Sequence, residues 1–144
     1  MATSYDHFPA KYRPVGEIFS LIGEKWTVVV VAHLGSGKMR FNELRRETAG
    51  ISQKMLAGTL RDLERNGFVT RTIYPIIPPR VEYELTELGQ KLLEALYALG
   101  KFAMVHQPDI QAARLRFDQE AALEVTSFQP VSLVAAITGP DTNS

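Results

Sequence analysis

A chain of 144 residues, 45% hydrophobic and 22% charged, can build one domain with a real core, or a small domain plus an oligomerisation element. It contains no cysteine, which excludes disulfides, thiolate zinc sites and thiol redox sensing together. Its sixteen Lys and Arg balance sixteen Asp and Glu, yet residues 38 to 80 hold nine of the bases and four of the acids, so that stretch is +5 and the remainder −5.

Residues 1 to 13 show no periodicity and read as an irregular arm, with Tyr5 and Phe8 expected to seek cover. From Pro14 to Gly23, Val15, Ile18, Phe19 and Ile22 fall at helical spacing, with proline suited to the first turn and glycine to the stop. Lys25 to Leu34 is ambiguous. The run Val28 to Val31 favours a buried strand by propensity, while Trp26, Val30 and His33 satisfy helical spacing. Gly35-Ser36-Gly37 closes that element.

Phe41, Leu44 and Thr48 mark a short helix, and Ala49-Gly50 turns into a second one at Ser52. Ser52 is an N-cap, with Ile51 and Leu56 placed as a hydrophobic staple. Asn66-Gly67 ends this helix with Phe68 returning to Leu63, a Schellman pattern. Phe68 to Tyr74 and Val81 to Leu85 alternate as strands around Pro75-Ile76-Ile77-Pro78-Pro79, predicting a two-stranded hairpin with a proline-rich tip. The expected fold class is mainly α with a small β-hairpin wing, a winged helix-turn-helix with terminal dimerisation helices.

Thr86 opens a long helix expected to run to about Gln107, with Pro108 to Leu123 forming another helix. The first carries more than one apolar stripe, and a stripe including Leu92, Leu96, Leu99, Phe102 and Ala103 is expected to face a second copy. Residues 14 to 107 thus read as the domain, 108 to 125 as a C-terminal helix and 126 to 144 as a tail of undecided order. No apolar run approaches the roughly 20 residues of a membrane span, and the N-terminus lacks a basic region followed by an apolar one, so a cytoplasmic location is expected.

On the second helix, Leu56, Leu60 and Leu63 fall on one side, and Lys54, Ala57, Gly58, Arg61 and Arg65 on the other. Small residues let a backbone approach a groove while basic ones reach phosphates, so this face suits double-stranded DNA. Ser52, Gln53 and Lys54 are the expected base readers, because such helices present their N-terminus to the major groove. Arg40, Asn42 and Arg45 would support them, with Arg80 and Ile77 of the wing at the adjacent minor groove.

Competing chemistry is poorly supported. Gly35 to Lys38 faintly suggests a phosphate loop, but Ala32 stands where the first glycine belongs and Met39 where a magnesium-binding hydroxyl belongs. His7, His33 and His106 are too scattered for a local metal site, and no nucleophile motif occurs, so neither an enzyme nor a cofactor is expected. A winged helix used only for protein contact is the alternative, but the basic helix face argues against it. Phe19, Trp26, Tyr97 and Phe102 are candidates for a small-molecule pocket, against their plain reading as core.

The motifs Leu21-Ile22-Gly23-Glu24-Lys25-Trp26-Thr27, Arg40-Phe41-Asn42-Glu43-Leu44, Gly50-Ile51-Ser52-Gln53-Lys54, Leu60-Arg61-Asp62-Leu63-Glu64 and Pro78-Pro79-Arg80-Val81-Glu82-Tyr83 occur in order. Together with Leu85-Thr86-Glu87-Leu88-Gly89, this series resembles the HxlR-type winged helix-turn-helix regulators from about Pro14 to Phe102. The resemblance implies a bacterial or archaeal transcription regulator of MarR-like architecture, dimeric through its terminal helices, on pseudo-palindromic DNA. It also implies that Val28 to Val31 are helical. Two departures stand out. Arg13 occupies a position that is often Cys in the family, and Ile76-Ile77 follow Tyr74-Pro75 where polar or acidic residues are common.

Overall fold

The computed structural model describes residues 8–127. Residues 1–7, including Tyr5 and His7, and residues 128–144, which hold most of the expected tail, lie outside the described part. A 3-10 turn at Ala10–Tyr12 leads into α1 (Arg13–Gly23) and α2 (Lys25–Leu34), separated at Glu24, whose extended backbone breaks the helix. Then come β1 (Met39–Arg40), α3 (Phe41–Glu47), α4 (Gln53–Arg65), β2 (Val69–Tyr74), β3 (Arg80–Leu85) and α5 (Glu87–Ser127).

The valine run is helical. Val30 and Val31 are fully buried, Thr27 is buried, and Val28 and Val29 are half-buried, so α2 is covered around most of its circumference. Burial of that much apolar surface outweighs the small helix penalty of β-branched residues. Around α2 gather Leu44 of α3, Leu56, Leu60 and Leu63 of α4, Val69, Tyr83 and Leu85 of the sheet, and Leu92 and Leu93 of α5.

The wing has three strands, in the order β1-β3-β2, where the sequence predicted two. Met39 pairs with Tyr83 and Arg40 with Glu82. A two-residue strand is too short to show alternation, so only its partner reveals it. The antiparallel β2–β3 register runs from Val69 opposite Leu85 to Tyr74 opposite Arg80.

The expected caps form. The Ser52 hydroxyl accepts the Met55 N–H at 3.1 Å. At the other end of α4, Phe68 N–H donates to the Leu63 carbonyl at 2.9 Å and Gly67 N–H to Glu64 at 3.0 Å, with Gly67 at φ 80°, the pair of bonds that defines a Schellman cap. Glu43 accepts the Arg40 N–H at 3.2 Å to start α3; Arg40 has no acceptor to reciprocate, so this is half a capping box. Thr86 caps α5 by accepting the Gly89 N–H at 3.0 Å while donating to the Gly67 carbonyl at 2.6 Å.

Helix α5 corrects the expected break at Pro108, which lies inside it. Proline removes one N–H and crowds the preceding turn. The surrounding backbone is exposed, so water can satisfy the freed carbonyl, and good helix formers such as Gln111, Ala112 and Ala113 carry the helix onward. The chain divides into two units, Met1–Leu99 and Gly100–Ser144. In the second, Phe102 and His106 rings lie 4.7 Å apart and His106 Nδ1 is 3.7 Å from Asp109.

Two residues of the expected dimer stripe serve the first unit's own core instead. Leu92 is only 9% exposed and Leu96 packs half-buried against the core cluster, because the first turns of α5 lie against the domain that precedes them. The exposed stripe starts at Leu99 and continues through Phe102 and Ala103.

Candidate nucleic-acid interface

Helix α4 sorts its residues by face. Leu56, Thr59, Leu60 and Leu63 are buried, and Gln53, Lys54, Ala57, Gly58, Arg61 and Arg65 are exposed. Thr59, mid-helix, satisfies its hydroxyl by donating to the Met55 carbonyl at 2.9 Å, so no buried polar group weakens the inner side. Ser52, Gln53 and Lys54 stand together at the exposed N-terminal end.

A cleft runs between α4 and the sheet, lined by Ala57, Leu60, Arg61, Glu64, Arg65, Arg71 and Tyr83. Arg71 Nε lies 3.5 Å from Glu64, tying β2 to α4 across this cleft, but both side chains are too exposed for the pair to contribute much stability. Burial pushes the Tyr83 hydroxyl pKa up; the Arg71 cation opposes the shift and the Glu64 carboxylate adds to it. Tyr83 is therefore a neutral donor on the floor of the cleft at ordinary pH.

A second cleft joins the N-terminal end of α3 to the wing tip. Arg40, Asn42 and Arg46 line it from one side and Ile76, Pro78, Pro79 and Arg80 from the other. Asn42, Arg45 and Arg46 line a shallower depression alongside. The fold thus brings α3 and the wing tip together, although about thirty-five residues separate Arg45 from Arg80 in the chain.

Arg80 is not the free wing-tip cation that its sequence position suggests. It starts β3, its guanidinium lies 4.3 Å from the Tyr74 ring centroid, and its Nε is 3.3 Å from Glu82. The ion pair is not aligned as a hydrogen bond, which leaves the buried Nε without a bonded acceptor. Arg65 also has divided surroundings: besides the α4 cleft it lines another with Glu17, Glu24 and Asp62, whose negative charge offsets its own. Arg46 and Arg71, absent from the expected contacts, stand in the two clefts; their only signal in the sequence was membership of the basic stretch.

Phe19, Tyr97 and Phe102 are each more than half exposed, and Trp26 is half-buried against the core with Lys25 Nζ 4.7 Å from its ring centroid. None of the four lines the clefts described above. Among the described residues no group of three or more His, Asp or Glu could hold a metal ion, and no helix is long and apolar enough to cross a membrane.

Gly58 is the open point of the α4 face. A Cβ built there meets no atom within 4 Å. Gly58→Ala should raise the melting temperature, since alanine is favoured by up to about 1 kcal/mol in a helix interior, while adding bulk to the surface expected to enter a groove. Thermal denaturation and a mobility shift on the same sample should therefore move in opposite directions.

Comparison with known proteins follows the same outline. The family model for HxlR-like helix-turn-helix matches residues 21–111. The uncharacterized HTH-type transcriptional regulator YtfH of Escherichia coli (strain K12) is 39% identical over 113 residues, covering 78% of this chain and 87% of YtfH. An uncharacterized HTH-type transcriptional regulator of Methanothermobacter thermautotrophicus is 47% identical over 89 residues, 60% of this chain and 68% of its own. Among solved structures, the reduced form of the transcriptional regulator YodB from B. subtilis superposes with a TM-score of 0.59 at 35% identity, covering 67% of this chain and 91% of YodB. The redox regulator HypR in its reduced form gives 0.63 at 37% identity, covering 69% and 98%. A winged helix-turn-helix with these motifs, matched by a family model over most of its length, has one reading: the chain belongs to the HxlR-like helix-turn-helix family of transcriptional regulators.

Proposed function

We propose that this regulator binds specific, pseudo-palindromic operator DNA as a homodimer and acts as a repressor. The observation that carries the reading is the exposed face of α4, where Gln53, Lys54 and Arg61 flank Ala57 and Gly58 with no bulky side chain between them. Small residues bring the helix axis close to base edges and the cations neutralise phosphate. Arg40, Asn42 and Arg45 at α3 would fix the register on the backbone, Ser52 would contribute at the helix start, and Arg65 would add less because of its acidic neighbours.

Dimerisation would use the exposed stripe of α5, at Leu99, Phe102 and Ala103, and set two copies of α4 about 34 Å apart, one turn of B-DNA. Phe102→Arg should halve the mass in solution and leave a folded monomer whose melt no longer depends on protein concentration; Leu96→Arg should instead lower the melting temperature at every concentration, because Leu96 packs on the core. Light scattering and thermal denaturation separate these outcomes. Phe19 and Tyr97 are each more than half exposed, so a second protomer would also be needed to close an effector pocket at either of them.

Whatever signal this protein receives, it does not arrive through a thiol, since the sequence holds no cysteine. The test of the main reading is a mobility shift on the chain's own upstream DNA across a salt series, with random duplex as competitor. Specific binding that weakens steeply with salt supports it. Sequence-blind weak binding would instead favour a protein-docking winged helix.

A further inference from the structure

Apart from Arg71, the inner face of the wing stays apolar as it leaves the core. Val69 lies opposite Leu85, Arg71 opposite Tyr83 and Ile73 opposite Val81, so these six share one face of the pair. Val69 and Leu85 are buried, but Ile73 is 55% exposed, and beyond it Ile76 and Ile77 are 52% and 101% exposed. Val81, which packs against the core, is the last inner-face residue of β3 before the tip, and Ile77 beyond it is fully exposed, so the tip does not serve as core.

The tip is also stiff. Pro75, Pro78 and Pro79 fix their own φ angles, and Ile76 N–H donates to the Tyr74 carbonyl at 2.9 Å. Ile77 is thus held out on a restrained loop that loses little entropy on insertion. Single exposed aliphatics are ordinary, but three within five residues of one restrained projection are not. Their surroundings define the partner: Arg40, Arg46 and Arg80 line the cleft that contains Ile76, against Glu43 alone. An apolar point set among cations suits a polyanion with an apolar interior.

We propose that the wing tip is a wedge for duplex DNA, with Ile77, backed by Ile76, entering a base step from the minor groove, partly unstacking it and bending the duplex. The proposal rests on the DNA-binding reading above. It reassigns the minor-groove contact from Arg80, which Tyr74 and Glu82 hold at the base of the tip, to Ile77. Apolar wedges of this kind bend DNA by about 20–90° toward the major groove.

The test begins with a duplex that the wild-type full chain selects from a random-sequence pool. Bend angle is read by energy transfer between the duplex ends, and stacking by 2-aminopurine at the wing-proximal steps. The wild type should bend the duplex and brighten one 2-aminopurine. Ile77→Ser should abolish both signals while affinity falls by no more than about tenfold, because lost apolar contact is offset by unstacking no longer required. Ile77→Leu should restore them. A straight duplex with the wild type, or an unchanged bend with Ile77→Ser, overturns the wedge and leaves DNA binding standing. Failure to select any duplex overturns the DNA-binding reading itself. A straight duplex combined with lost self-association in Ile77→Ser would assign the tip to contact with a second copy, again against the wedge.

Discussion

Gly89→Ala should leave the protein with little or no cooperative melt. A Cβ at Gly89 would be driven into the Phe68 carbonyl oxygen, with the Phe68 carbonyl carbon and Leu85 Cβ close by, so no flexible side chain can move aside. The same carbonyl accepts the Thr86 N–H at 3.0 Å, the bond that seats the start of α5 against the end of α4. Relief of the clash would lift α5 away and expose Leu92 and Leu93. Overpacking typically costs about 1–3 kcal/mol where side chains can adjust, and more is expected against backbone, a large share of the roughly 5–15 kcal/mol of a small domain. Thermal denaturation followed by circular dichroism reads the effect. Gly100→Ala is the control, since a Cβ there meets nothing within 4 Å and should leave the melt intact or raise it. An unchanged melt for Gly89→Ala would mean that α5 does not approach the turn after α4 so closely.

Reversing Lys54 and Arg61 together to Glu should remove operator binding by roughly two to three orders of magnitude and flatten its salt dependence, because each lost phosphate contact lowers the slope by about 0.9. Both residues are exposed, and among the described residues neither takes part in an ion pair, so the fold should survive. Glu at position 54 even places an acid in the first turn of α4, where the helix dipole favours it. A normal melt with binding lost assigns the defect to the interface. Retained affinity with an unchanged salt slope would move the DNA surface off α4.

The helix-turn-helix was legible because its signals are local. Ser52, Gly67 and the Leu56-Leu60-Leu63 spacing act within a turn or two of the chain, so the caps and the two faces of α4 follow from residue order alone. Val28 to Val31 were not decidable from their residues, since propensity and periodicity disagreed. What settled α2 was the amount of surface it buries, a property of its neighbours. Pro108 misled for the opposite reason. A strong local signal for a break was outweighed by helix-favouring residues on both sides in an exposed setting.

By itself, then, the residue order determined the charge of the 38 to 80 stretch, the caps, the two faces of α4 and the absence of thiol chemistry. Only the tertiary structure decided that β1 adds a third strand, that Leu92 and Leu96 belong to the core, that α3 and the wing tip line one cleft, and that Tyr74 and Glu82 hold Arg80 while Ile77 projects. Each of these depends on groups brought together across turns and strands. Such proximity is set by packing the whole core, and no window of sequence contains it.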